Sequence, residues 1–211
     1  MGGLYKLFFY IVFLFAIWIL RINLLPVLDE QAPTDFVVFY ISNYIKLLLW
    51  VAPLLIILIP QVNHWIRMFG LWPIKTSGIF SISMLVLQLG IAMYLDYHYQ
   101  PAALLDNGWI KVGSIILLGP LVEEIVFRGY IFTEMSRYIG IWPASFASSV
   151  LFALIHFPIW TYQGLDIITM GISSLAAIMF GIVACILTFS SKSLYPAYAA
   201  HSLNNLIAQF L

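Results

Sequence analysis

Apolar runs of membrane length, joined by short polar connections, leave this chain little choice of fold. Seven such runs can be marked, at about 4–24, 37–59, 78–95, 110–134, 142–157, 168–189 and 194–211. A helix needs about 20 mostly apolar residues to cross a bilayer. Within lipid every backbone N–H and C=O must be satisfied inside the protein, which a helix achieves and an open strand does not. Of the 211 residues 63% are hydrophobic and 9% charged, against about 25% charged in a soluble domain. The expectation is an all-α, polytopic transmembrane bundle of about seven spans, with six to eight as the range.

The connections carry turn and cap chemistry: Asp29 to Asp35 with Pro33, Trp72-Pro73, Asp96 to Asn107, Gly140 to Pro143, Pro158 to Asp166, and Ser190 to Ser193. The fifth run is short and ends at Pro158, so residues 158–170 read as a re-entrant or interfacial piece. After Lys6, the run from Leu7 to Leu20 leads into Arg21-Ile22-Asn23 rather than a small-residue cleavage site. It reads as a retained helix, not a cleaved signal. Cationic residues set orientation. With the N-terminus inside, the cytoplasmic loops collect Lys6, Arg67, Lys75, Arg137 and Lys192, and the opposite side only Arg21 and Lys111.

Formal net charge is zero, which argues against a nucleic-acid partner. The single cysteine, Cys185, cannot form an intrachain disulfide and reads as a small core residue. Lys46 lies inside the second run, where a lysine that snorkels or meets a stray carboxylate is the favoured reading.

In the fourth run, Glu123, Glu124 and Arg128 fall within six residues. Each charge at a helix centre costs about 2.5–3.5 kcal/mol on insertion scales, and an apolar neighbour returns only about 0.3–0.6. Such a segment is marginal alone, and its charges must pair and face protein or water. An ionisable residue at that depth is a functional-site hypothesis by default. Glu124 and Arg128 are four apart on one helix face, while Glu123 points about 100° away. Arg128 is therefore the expected partner of Glu124, leaving Glu123 less neutralised and suited to act as a general base. Pro120 removes one helical bond, frees the Ile116 carbonyl and loosens the helix just before the acids.

Two further groups complete the pattern. Phe152 and His156 share a face in the fifth run, and His201 and Asn205 share one in the last, with Asn204 an alternative to Asn205. If the fourth and fifth runs form a hairpin about Gly140, Glu123 and His156 are nearly equidistant from the turn and lie at one depth. A lone histidine on an apolar helix is usually a hydrogen-bonded core residue. Two acids, two histidines and an amide on three spans point instead to catalysis or transport. His-Glu-x-x-His and Gly-x-Ser-x-Gly are absent, and neither Ser149 nor Ser202 has the flanks of an activated nucleophile. A Glu/His pair can deprotonate a water, and His with Asn can donate to a developing oxyanion, a set suited to amide hydrolysis. Glu123, His156 and His201 also suit a metal ion, and spacing does not separate the two readings.

These residues resemble the three motifs of the CAAX prenyl protease and bacteriocin-processing family, also called CPBP or Abi: Glu-Glu-x-x-x-Arg, Phe-x-x-x-His and His-x-x-x-Asn. The resemblance covers about residues 110–211, including Phe127-Arg128-Gly129-Tyr130 and the Ser193-Leu194-Tyr195-Pro196 lead. It divides the chain into N-terminal transmembrane helices, 1–109, and a catalytic helical core, 110–211. It implies an intramembrane glutamic endopeptidase in which Glu123 activates water with His156 assisting, while His201 and Asn205 form the oxyanion hole. Glu124, Arg128 and Phe152 would support them, and no cofactor would be needed. The implied partners are the lipid bilayer and a membrane-associated peptide or protein, in a multi-pass bacterial cell-membrane protein; oligomeric state is not read from the sequence. Relatives are linked to peptide maturation, bacteriocin self-immunity and regulation of membrane partners. The competing reading is a non-catalytic partner, such as an immunity factor or sensor-kinase regulator. A proton relay is a third, disfavoured because no paired broken helices are visible.

Overall fold

The computed structural model describes residues 2–31, 35–58 and 113–210, with single helical positions Ile79, Ser83, Val86, Leu87 and Gly90 between. The third expected run, the Trp72-Pro73 and Asp96 to Asn107 connections, and Arg67, Lys75 and Lys111 otherwise lie outside the described residues. Among those described there are helices and no strands. They are α1 (Gly2–Gln31), α2 (Asp35–Leu58), α3 (residues 114–139), α4 (Ile141–Leu154), α5 (Phe157–Tyr162), α6 (Ile167–Ser191) and α7 (Tyr195–Phe210).

Apolar stripes at helical spacing explain the packing. Leu7, Tyr10, Leu14, Trp18 and Ile22 recur every three or four residues along α1 and are buried. They form one core with Trp50 and Leu54 of α2, Val126, Phe127, Tyr130 and Ile131 of α3, and Phe152 of α4. Tyr10 donates its hydroxyl proton to the Trp50 carbonyl at 2.7 Å. The other faces are apolar too and exposed, as at Phe8, Phe9 and Leu20 of α1 and Ile168, Ile172, Leu175 and Met179 of α6. Apolar residues on both faces are what a bilayer as solvent requires.

Three stretches are long and apolar enough to cross a membrane, Gly3–Leu24, Ile141–Tyr162 and Ile167–Ser191, with a shorter apolar stretch at Ile45–Ile57. The chain is a membrane protein, but seven spans of that kind are not found among the described residues. α3 falls short by charge rather than length, since it holds Glu123, Glu124, Arg128, Glu134 and Arg137.

Local chemistry sets the boundaries. α3 is one continuous helix of alternating wind: π over Ser114–Leu118, α over Gly119–Glu124, π over Ile125–Phe132 and α over Thr133–Ile139. The Gly119 N–H reaches back five residues to the Ser114 carbonyl, so the loosening expected at Pro120 takes the form of a π turn. π segments are rare and cluster at functional sites. Gly140 ends α3 and starts α4 at φ +82°, a conformation that costs glycine little. α4 stops at Leu154, not at residue 157 as expected; a turn over Ile155 and His156 leads into α5, the piece read as interfacial. α6 is capped by Asp166, whose Oδ1 accepts from the amides of Ile168 and Thr169 at 2.9 and 3.1 Å. Ser193 Oγ accepts from the Tyr195 N–H at 3.3 Å and opens α7.

The helices alternate in direction. Gly3 abuts Tyr138, so the start of α1 meets the end of α3. α4 and α6 run antiparallel, with Ala144 beside Cys185 and Ser149 beside Gly181. Lys6, Arg137 and Lys192 therefore lie at one end of the bundle.

Candidate active site

The α3 helix carries both acids, and each is buried. α-Helical pitch from Gly119 to Glu124 separates them in direction, so they meet different partners. Glu124 lies at the start of the second π segment, with Arg128 Nη1 3.2 Å from its Oε1. Both side chains are about 1% exposed, which makes this a fully desolvated charge pair. The guanidinium makes no hydrogen bond among the described residues. Its Cζ stands over the Phe152 ring at 4.3 Å and the Phe180 ring at 5.7 Å, so charge and cation–π attraction hold it.

Glu123 meets α2. Lys46 donates to Glu123 Oε1 in a buried ion pair. The lysine head also stands over the rings of Trp50 at 4.4 Å and Trp18 at 5.4 Å. The expectation of a less neutralised Glu123 is thus corrected: each acid has its own cation, because desolvated charges are tolerated only when paired. The signal was present in the sequence as a single lysine inside an apolar run.

α7 reaches back across the acids. His201 Nδ1 donates to Glu124 Oε1 at 2.8 Å, and its Nε2 stands 3.6 Å from Glu123 Oε2. The first is a direct hydrogen bond and the second too long for one. At that separation one water or one substrate oxygen can be reached from both sides. Asn205 is half-buried one turn further along α7, while Asn204 is exposed.

His156 sits in the turn between α4 and α5. Its Nδ1 donates to the Phe152 carbonyl at 2.7 Å, which fixes the proton there and leaves Nε2 as an acceptor. The hairpin brings it within range of the charges of Glu123, Lys46 and His201. Its ring stacks on Trp160 of α5 at 5.4 Å, a neighbour the motifs do not mark.

Phe152 gathers these parts. Its ring meets His156 at 4.9 Å, His201 at 5.7 Å and Phe127 at 5.2 Å, all edge-on. Ser148 Oγ donates to the Phe127 carbonyl at 3.0 Å and so ties α4 to the π segment. Ser149 Oγ is spent on the Ser145 carbonyl at 2.7 Å. Among the described residues no three His, Cys, Asp or Glu side chains converge as a metal site.

Residues 105–207 match the family model described as type II CAAX prenyl endopeptidase, Rce1-like. That segment contains the double glutamate, both histidines and Asn205, and the family is one of proteases. No curated protein and no solved structure matches the chain.

Proposed function

We propose that this chain, whose residues 105–207 match the Rce1-like model of type II CAAX prenyl endopeptidases, hydrolyses a peptide bond in a membrane-associated peptide or protein. The observation that carries the reading is the approach of Glu123 and His201 from different helices, with Oε2 and Nε2 3.6 Å apart. Glu123 takes a proton from a water held there, and His156, acceptor at Nε2, assists. The hydroxide adds to the scissile carbonyl; Asn205 donates to the developing oxyanion, and so does His201 from Nε2, acting as an imidazolium whose Nδ1–H is held by Glu124. Electrostatic stabilisation of this kind is worth about 10²–10³ in kcat per donor. The proton taken by Glu123 then passes to the leaving amine, and the site returns to its starting state. Glu124 orients His201 through Nδ1, Arg128 balances Glu124, and Phe152 fixes the histidine rings. No metal enters this scheme; the cation beside Glu123 is the Lys46 ammonium. We place the protein in a bacterial cell membrane on its short loops and the family resemblance, and its N-terminus in the cytoplasm on the loop charges and the clustering of Lys6, Arg137 and Lys192.

The test is Glu123→Gln, which keeps the shape and removes the base. Membrane and secreted peptides are compared between cells bearing wild type and variant. Cleavage at the wild-type rate by the purified variant would sink the mechanism. One observation favours the non-catalytic alternative, an immunity factor or sensor-kinase regulator: both acids are already internally paired. Full rescue in cells by Glu123→Gln and His156→Ala, at normal abundance, would decide for it.

A further inference from the structure

The matched segment does not contain the whole site. Lys46, on α2 and outside residues 105–207, is the cation that meets Glu123. It is buried at 8% exposure and held on three sides. Trp50, four residues on along α2, places its ring 4.4 Å from Nζ; Trp18, from α1, places its own at 5.4 Å; Glu123 closes the third side. The two tryptophans pack edge to face at 5.1 Å, and Trp50 packs on Phe127 of α3 at 6.3 Å. The cage is therefore part of the core that joins α1 and α2 to α3.

The contact divides the carboxylate. Lys46 takes Oε1, and Oε2 is the oxygen that faces His201 Nε2. A free carboxylate can swing about its terminal torsion and present either oxygen. Tied at Oε1 by an ammonium locked between two rings, Glu123 presents one.

We propose that Lys46 is a positioning residue for the reaction: it anchors Glu123 through Oε1 so that Oε2 is directed at the space shared with His201. This rests on the peptidase reading above and extends the site to α1 and α2. The lysine does not touch substrate and does not exchange protons in the cycle. It acts through the geometry of Glu123, and the aromatic pair acts through the lysine.

The test uses the full-length protein in liposomes and a farnesylated CAAX-type peptide with a fluorogenic scissile bond. Lys46→Met should lower kcat by about 10–100-fold, the usual range for loss of a supporting partner, with KM within about twofold. Lys46→Arg, which keeps a cation and a donor at the same place, should recover most of the turnover. Lys46→Met leaves a buried acid unpaired, so folding is checked by melting temperature beside the double variant Lys46→Met/Glu123→Gln. A drop in the single variant, with recovery in the double, supports the pairing. Wild-type kcat in Lys46→Met, with Glu123→Gln inactive, overturns the proposal and leaves the peptidase reading standing. Failure of Lys46→Arg to regain activity while its melting temperature is restored overturns it as well. Wild-type turnover in Glu123→Gln overturns both.

Discussion

His201 Nδ1 and Glu124 Oε1 lie 2.8 Å apart, and that bond joins α7 to α3 across 77 residues of sequence. It makes Glu124 more than the counter-ion of Arg128, since the same oxygen meets both. Removing one member of a buried pair strands the other and costs about 3–5 kcal/mol, while replacing both with apolar residues is often neutral or better. Glu124→Ala should therefore unfold in detergent well below wild type. Glu124→Leu/Arg128→Met should regain most of the loss, with thermal melting as the measurement. Equal melting of Glu124→Ala and wild type would show that the pair is not desolvated.

Phe152 is a second point of convergence. Phe152→Ala opens a cavity among two histidines, Phe127 and Arg128, and such truncations cost about 3–5 kcal/mol. The His156 hydrogen bond goes to the Phe152 carbonyl and survives, so the loss belongs to the ring. Chemical unfolding of Phe152→Ala and Phe152→Leu in the same detergent checks this, with the leucine variant expected between alanine and wild type.

The α4–α6 contact depends on a missing side chain. A Cβ at Gly181 would stand 2.6 Å from Ser149 Oγ and 2.7 Å from Ser149 Cβ, closer than packed atoms allow. Gly181→Ala should cost about 1–3 kcal/mol as overpacking, and adding Ser149→Gly should recover part of it, because the position 149 Cα still stands 3.1 Å from the new Cβ. A melting series over the single and double variants reads the coupling directly.

Asp166 caps α6 outside the apolar span. Hydrogen bonds from the Thr169 hydroxyl and amide hold its carboxyl below the usual aspartate range. A lowered folded-state value means that the cap contributes fully above the unfolded aspartate value, about 3.9, and is lost as pH falls through the lowered one. Protection of the Ile168 and Thr169 amides against hydrogen exchange, relative to the unfolded-chain rate at each pH, should fall on that acidification. Asp166→Ala should show the lowered protection at neutral pH already, and wild-type protection there would refute the cap.

Metal dependence has a direct check. Turnover should survive dialysis against EDTA and 1,10-phenanthroline, because the proposed scheme activates water with Glu123 and stabilises the oxyanion with His201 and Asn205. Loss of activity restored by added zinc would assign a metal to Glu123, His156 and His201 after all.

Much of this architecture is legible without coordinates because lipid simplifies the rules. Apolar runs set the helices, and the boundaries at Asp35, Gly140, Asp166 and Ser193 follow from proline, glycine and capping residues, whereas α1 runs on to Gln31, past its expected end near residue 24. The partnership of Glu124 with Arg128 follows from helical spacing, and the meeting of α3 with α4 from counting about Gly140. Less legible were the end of α4 at Leu154 and the turn that holds His156, since Ile155 and His156 carry no breaker signal before Pro158. The π winding of α3 was visible only as a consequence of Pro120; its continuation through Ile125–Phe132 depends on Ser148 and Thr133, which take up the carbonyls of Phe127 and Arg128.

By itself the sequence determined a helical membrane bundle with two acids, two histidines and an amide on its last spans, because helical period and the cost of charge in lipid are local properties. Only the tertiary structure decided which groups meet. It gave Glu123 to Lys46 from a helix 77 residues away, bound His201 to Glu124, and turned His156 onto its own backbone. Pairing across helices depends on which faces pack and how deep each charge sits, and no spacing within one helix encodes that.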